Sequence, residues 1–190
     1  ALAAAHAWFG HGRDHEAFLV LTLGRGVGLG IVVNGSVYRG PRGGAGEFGH
    51  TVCAPLAPRV MDPEPATLES RVSDGALAAQ ASRLLGREVG AEELGALADA
   101  GEQVIVDLLA DAGDCLGVAL STLVNVFAPS LVILGGEGLR ASPYLLPRAQ
   151  ATLSELAFGD LADGMELVLD SWGDDGWARG AAGLAAARVL

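Results

Sequence analysis

The pattern of apolar and polar positions in residues 17–39 predicts three short strands joined by tight turns. The first strand is predicted over Ala17–Leu23 and the second over Gly28–Val33, because both runs are rich in aliphatic and β-branched residues. The pair Asn34-Gly35 follows directly and favours the type I′ turn of a two-residue hairpin. The third strand is therefore predicted over Ser36–Arg39, antiparallel to the second.

The remainder of the chain is mostly helical in periodicity, with two further short apolar runs. These runs, Leu131–Leu134 and Met165–Leu169, are predicted as strands. Helices are predicted over Ala1–Phe9, Thr67–Asp74, Ala76–Leu84, Ala91–Asp99, Glu102–Phe127, Pro143–Ala157 and Trp177–Val189. Three antiparallel strands followed by alternating helices and strands predict an α/β fold, a mixed sheet with helices on both faces. This order matches one lobe of the actin-like, ribonuclease-H-like architecture.

Charge and cysteine content narrow the classes of function. The net charge is −11, and the 12 basic residues are all arginines scattered singly along the chain. Contact between these residues and DNA is therefore not expected. Two cysteines, Cys53 and Cys115, are too few for a disulfide framework, which favours a cytoplasmic setting. The longest apolar run is interrupted by polar residues and is too short to span a membrane.

A glycine-rich loop after the third strand carries the polar groups most typical of a binding site. Glu47 and His50 stand there among glycines that include Gly44 and Gly46. Glycine lets the backbone approach a ligand closely, because it has no Cβ. An ionised carboxylate accepts hydrogen bonds from neighbouring hydroxyls, and a histidine nitrogen adds one more directional partner. The loop thus favours a ligand-binding site, and the alternative is a solvated loop with a capping glutamate.

Three segments together resemble successive motifs of the ROK family, which contains bacterial repressors and sugar kinases. The segments are LTLGRGVGLGIVVNG, GGAGEFGH and LVNVFAPSLVILGGEG. The resemblance implies that residues 1–190 are the C-terminal lobe of such a protein, with an N-terminal lobe and any DNA-binding domain outside them. It also implies a sugar site formed by Glu47, His50 and Glu69, with Gly44 and Gly46 allowing backbone contact.

One family feature, a structural zinc, is predicted to be lost. In the family a Cys-x-Cys-Gly-x-x-Gly-Cys-Leu-Glu segment follows the histidine, and its cysteines hold the metal with that histidine. Here the cysteine positions hold Val60, Asp62 and Thr67, while Glu69 keeps the final position. Structural zinc needs four ligands, mostly thiolate and imidazole. We therefore predict no metal and no other cofactor, and expect the nearby prolines to stiffen the loop.

The segments that meet the nucleotide in kinase members are altered or missing. Kinases carry Gly-Thr-Gly after the first strand, whereas this chain carries Gly24-Arg25-Gly26, a form that resembles the repressor branch. Gly135 and Gly136 match a segment that contacts adenosine in kinases, although glycines between a strand and a helix also serve packing. The catalytic Asp and the Asp-x-Gly-x-Thr loop that the resemblance implies for a kinase do not occur here. No catalytic residue is predicted.

The leading interpretation is the sugar-sensing lobe of a ROK-type transcriptional regulator. DNA would be met only through an upstream helix-turn-helix domain, and neither DNA nor a membrane is expected to touch this lobe. The alternative is the C-terminal lobe of an ATP-dependent, glucokinase-like sugar kinase, the only case in which ATP is expected. A third possibility is a scaffold that dimerises through its helices and tryptophans. The family resemblance implies a homo-oligomer in each case.

Two other clusters of polar residues are predicted to have no role in binding or catalysis. His6, His11 and His15 straddle a helix end, so surface or capping histidines are favoured over a metal cluster. Asp170, Asp174 and Asp175 form a charge run, which predicts a solvated loop.

Overall fold

The computed structural model describes residues 2–53 and 67–186, which form a five-stranded mixed sheet with the strand order β3-β2-β1-β4-β5. The first three strands pair antiparallel, and β4 and β5 continue the sheet in parallel with β1. The strand bounds are β1 Phe18–Leu23, β2 Val27–Val33, β3 Ser36–Tyr38, β4 Leu131–Gly135 and β5 Glu166–Leu169. The predicted strand content and mixed sheet are confirmed.

The β2–β3 hairpin forms at the predicted turn. Asn34 and Gly35 both have left-handed backbone angles, with φ of 51° and 68°. A type I′ turn requires positive φ at both central residues, and Asn and Gly adopt it at the least steric cost. The turn fixes the hairpin register, which pairs Val33 with Ser36.

Helices cover both faces of the sheet, as the alternation of strands and helices predicts. The helices are α1 Leu2–Phe9, α2 Glu69–Val72, α3 Asp74–Leu85, α4 Leu94–Asp99, α5 Gln103–Phe127, α6 Ser142–Leu156 and α7 Asp174–Ala186. Short 3₁₀ turns occur at Phe48–His50, Ala91–Glu93 and Glu137–Ala141. Helices α1 and α7 pack together on one face, and α5 and α6 pack together on the other.

Alternate side chains of β1 face opposite sides of the sheet, so they belong to two different core clusters. Leu19 and Leu21 belong to the larger cluster, which includes residues of α5 and α6. Phe18 and Val20 belong to the smaller cluster, which includes residues of α1. Both faces of a central strand are thus buried, which explains its continuous apolar sequence.

One predicted helix is shorter in the structure. The segment Thr67–Asp74 contains only the short α2, because Ser73 ends it and begins α3. The Ser73 hydroxyl accepts a hydrogen bond from Ala76 N at 3.3 Å, an ordinary N-cap interaction. Within residues 2–53 and 67–186, every helix is too short or too polar to cross a membrane.

The surface or capping role favoured for His6 is wrong, and so is the solvated role predicted for Asp170. His6 is completely buried, and the Asp170 side chain is only 3% exposed. His6 Nε2 lies 3.4 Å from Asp170 Oδ1, and the imidazole stacks on Trp172 at 4.6 Å between ring centroids. The reason is tertiary: α1 packs between the sheet and α7, and together these bury the side of the helix that carries His6. His11 is exposed, as expected of a surface histidine.

The burial of the His6 imidazole makes the stability of the folded state depend on pH. Burial lowers the pKa of His6 below its usual 6.5, and the Asp170 carboxylate opposes this only in part. The unfolded state therefore binds more protons than the folded state, and stability falls as the pH drops below about 6.5. We expect His6→Phe to flatten the dependence below about pH 6.5, by up to about 1.4 kcal/mol per pH unit.

Urea unfolding at a series of pH values measures this effect, with His50→Gln as the exposed control. A His6→Phe curve parallel to that of the wild type would contradict the assignment.

Candidate functional site

A cleft opens at the carboxyl ends of β1 and β4, where α/β sheets commonly bind ligands. It encloses about 340 Å³ and is lined by the Gly24-Arg25-Gly26 turn, Glu69, Gly136, Glu137 and Trp177, among others. The structure thus brings together one predicted sugar-binding residue and four of the five predicted phosphate-segment residues.

Glu69 lies between two of the segments that carry predicted site residues. It is the first residue of α2, and its Oε2 accepts a hydrogen bond from Val27 N at 2.9 Å. A methyl group built on Gly26 would lie 2.8 Å from this oxygen, and one on Gly49 would lie 3.3 Å from it. The carboxylate therefore lies between the Gly24-Arg25-Gly26 turn and the 3₁₀ turn that carries His50.

Glu47 and His50 lie at the two ends of that 3₁₀ turn. Their side chains are 73% and 66% exposed, and His50 Nε2 is 3.9 Å from Glu47 Oε2. Neither residue lines the cleft described above, whereas Gly49 between them is buried. A methyl group on Gly49 would lie 2.5 Å from Val27 O, so glycine is needed for the turn to pack against β2. Glu47 and His50 are thus open to a ligand, and the turn packs beside Glu69.

The two loop glycines of the predicted sugar site differ in role. Gly46 has φ of 97°, and a methyl group there would collide with Leu29 O. Its own carbonyl accepts a hydrogen bond from Leu29 N at 3.0 Å. Gly46 therefore anchors the loop to β2, whereas Gly44 is exposed with open space around its Cα.

We expect Gly46→Ala to destabilise the fold by about 1–3 kcal/mol, because a Cβ is strained at this φ and clashes with β2. Chemical denaturation measures the loss. Gly44→Ala, in the same loop but with free space, should leave the free energy of unfolding nearly unchanged. Equal effects of the two substitutions would refute the anchoring role of Gly46.

Gly135 and Gly136, at the end of β4, also differ in role. Gly136 has φ of 100° and lines the cleft, and a methyl group on it would collide with Leu23 O. Gly135 does not line the cleft. It is buried under α1, where a methyl group would lie 3.0 Å from Leu2 Cδ2 and 3.3 Å from Asp170 Cβ. Its position accounts for the glycine by packing alone.

Glu137 and Trp177 are among the lining residues that were not predicted as site residues. The carboxyl carbon of Glu137 would lie 2.7 Å from a methyl group on Gly24. Trp177, on α7, was predicted only as a possible interface residue. The signal for Glu137 was present in the sequence, since it stands between the glycines of the matched GGEG segment.

An acidic residue at the start of α3 also contacts Gly24. The amide of Asp74 at the start of α3 donates to Gly24 O at 2.8 Å. Burial raises the pKa of the Asp74 carboxyl, and the Glu137 carboxylate raises it further. The Glu137 carboxylate thus opposes ionisation of Asp74, while Arg140 favours it.

The absence of zinc remains a prediction. Val60 and Asp62 lie outside the described residues, whereas Thr67 bridges to Val52 and its hydroxyl accepts from Ser70 N. In the part of the chain that the structure describes, no group of three or more His, Cys, Asp or Glu is arranged to hold a metal. Elemental analysis should find no stoichiometric zinc, and EDTA should leave the melting temperature unchanged; stoichiometric zinc would overturn the prediction.

Both repressors and sugar kinases are among the known proteins that resemble this chain. It is 25% identical over 172 residues to the xylose repressor of Bacillus subtilis. This match covers 90% of this chain and 44% of the repressor. It is 33% identical over 161 residues to a beta-glucoside kinase of Listeria monocytogenes, covering 82% and 53% respectively. The chain thus spans about half the length of the relatives that it matches.

A solved structure supports the fold independently. The chain superimposes on a ROK family transcriptional regulator, a homologue of the Escherichia coli MLC protein, with a TM-score of 0.83 and 27% identity. The match covers 96% of this chain and 49% of the regulator. With the observed strand order, it confirms the predicted actin-like lobe. The model of the ROK family matches residues 1–188, and this chain therefore belongs to the ROK family.

Proposed function

We propose that this chain is the sugar-sensing lobe of a ROK-type transcriptional regulator. The observation that carries the proposal is the position of Glu69. Its carboxylate packs against the turn that presents Glu47 and His50, so three groups able to bind hydroxyls lie on adjoining segments. Carboxylates and an imidazole that retain free acceptor capacity suit the hydroxyls of a sugar.

The exposure of Glu47 and His50 fits a site completed by a second surface. Both side chains retain most of their solvent contact, so a ligand can bind them without displacing a hydrogen-bonded partner. A sugar held between this lobe and a second lobe would favour the closed arrangement of the two. Such a ligand shifts the equilibrium only by its difference in affinity for the open and closed states.

The charge of the chain supports an indirect role in DNA binding. With a net charge of −11, these residues repel the phosphate backbone. In the proposed regulator, DNA contact belongs to a helix-turn-helix domain elsewhere in the complete gene product. The xylose repressor among the relatives is consistent with a sugar as the effector.

The alternative is the C-terminal lobe of an ATP-dependent sugar kinase. The 33% identity to a beta-glucoside kinase favours it. Arg25, in place of the kinase threonine in the Gly24-Arg25-Gly26 turn, weighs against it. Under this alternative the same carboxylates would hold the sugar, and the catalytic Asp would come from outside this chain.

Calorimetric titration of the complete gene product with D-xylose, D-glucose and N-acetylglucosamine tests the proposal. We expect at least one of these sugars to bind, and Glu47→Ala to weaken its binding about 10-fold or more. Glu166→Ala, an exposed glutamate on β5, is the matched control and should bind like the wild type. Binding of none of the three, or ATP-dependent phosphorylation of a bound sugar, would overturn the proposal.

A further inference from the structure

The Gly24-Arg25-Gly26 turn has the form of an anion-binding loop, because glycines expose backbone amides at the end of a strand. In this chain, however, carboxylates of the protein itself cover both glycines. Glu69 lies against Gly26 and takes the amide of Val27 at 2.9 Å. On the other side, the Glu137 carboxyl carbon and its two oxygens would lie 2.7, 2.9 and 3.0 Å from a methyl group on Gly24.

The position of Glu137 is fixed by the tight turn after β4. A methyl group on Gly138 would lie 3.0 Å from Leu23 C and 3.1 Å from Gly24 N, so the two turns are in direct contact. Gly136 has a left-handed backbone, and a methyl group on it would collide with Leu23 O. The backbone of Glu137, between these glycines, is therefore held beside Gly24, and its exposed side chain reaches over the Gly24-Arg25-Gly26 turn.

The charges that line the cleft reinforce this arrangement. Its lining contains two carboxylates, Glu69 and Glu137, against one guanidinium, that of Arg25. Arg25 and Glu137 are both exposed, so solvent weakens the interaction of each with an anion, whereas Glu69 is half-buried. The carboxylates lie directly against the turn, where a phosphoryl group would bring further negative charge into contact with them. Hydroxyl groups, by contrast, donate hydrogen bonds to carboxylates and meet no repulsion.

We propose that Glu137 excludes phosphoryl groups from this cleft, which adjoins the proposed sugar site at Glu69, so that nucleotides and other phosphorylated ligands are rejected there. The inference rests on the proposed function, because it supplies the selectivity that a sugar sensor needs. Glu137 acts here as a specificity determinant: it occupies the space beside Gly24 and makes the turn unsuitable for a second anion.

Titration of the complete gene product with AMPPNP and with inorganic pyrophosphate, both without Mg²⁺, tests this role. We expect Glu137→Gln to bind both anions about 10-fold or more tightly than the wild type, because a like charge in direct contact is removed. Glu166→Gln removes the same charge from an exposed position on β5 and is the matched control, which should behave like the wild type. Glu137→Ala should gain at least as much as Glu137→Gln, because it also frees space.

Three results would overturn the inference. The first is equal affinity of the wild type and Glu137→Gln for both anions, including no binding by either. The second is an equal gain in Glu166→Gln, which would indicate a general charge effect. The third is Mg²⁺-dependent AMPPNP binding by the wild type that Glu137→Gln abolishes, which would make Glu137 part of a nucleotide site. Sugar titration of the same wild-type protein tests the proposed function separately, because it does not depend on the anion results.

Discussion

Gly117→Leu is expected to lower the free energy of unfolding by about 3 kcal/mol, because α5 and α6 are in backbone contact at this position. A methyl group on Gly117 would lie 2.6 Å from both Ala149 O and Thr152 Cβ. Gly113, one helical turn earlier, faces α6 in the same way, with Arg148 Cβ at 2.9 Å from the methyl position. A larger side chain at Gly117 must separate the two helices and open voids along their contact.

Gly75→Leu provides the matched control, because it adds the same side chain to a helix. Gly75, in α3, is exposed and has no atom within 4 Å of its methyl position. Leucine there should be neutral or stabilise by up to about 1 kcal/mol through helix propensity. Urea denaturation of both variants measures the difference, and a loss below about 1 kcal/mol for Gly117→Leu would show that the helices can separate without strain.

Glu69→Gln is expected to weaken sugar binding about 10- to 100-fold while the fold is retained. The glutamine carbonyl can still accept the hydrogen bond from Val27 N, which in the wild type measures 2.9 Å. The substitution removes the charge that strengthens hydrogen bonds from the ligand, and such bonds contribute about 1.5–3 kcal/mol each. Glu69→Ala should bind more weakly still, because it also leaves Val27 N without its acceptor.

Calorimetry on the sugar that binds the wild type measures the series, and Glu166→Gln provides the control for loss of charge alone. Circular dichroism and the melting temperature of Glu69→Gln should match the wild type. Unchanged affinity in Glu69→Gln, with the fold intact, would remove Glu69 from the sugar site.

The strands were predictable because their signals are local. Asn34-Gly35 fixes a hairpin by its own backbone preferences, and the runs before and after it have the length and composition of strands. The parallel strand β4 is marked by an apolar run that Gly135-Gly136 ends. Such features depend on a few neighbouring residues, so a single sequence contains enough information to place them.

The burial of His6 was not predictable, because it depends on contacts between distant segments. In α1, the other residues are alanines and the large apolar Leu2, Trp8 and Phe9, so the pattern marks no polar face. Only the packing of α7 and Asp170 against α1 makes its environment a buried one. The same limit applies to Glu137, whose importance comes from the contact between the turn after β4 and Gly24.

For the proposed sugar site, the family motifs pointed to Glu47, His50 and Glu69, but they did not reveal how far each is buried. The structure shows Glu69 tied to Val27 N and the other two residues largely exposed. Exposure follows from the left-handed Gly46 and the buried Gly49, which hold the loop against β2. These are properties of backbone packing that a motif does not encode.

The most direct test of the central claim is a crystal structure of the complete gene product with the tightest-binding of D-xylose, D-glucose and N-acetylglucosamine. We predict sugar hydroxyls within hydrogen-bonding distance of Glu47, His50 and Glu69, and no cation among these residues. A sugar bound elsewhere, or a metal ion held by His50 at this position, would contradict the account.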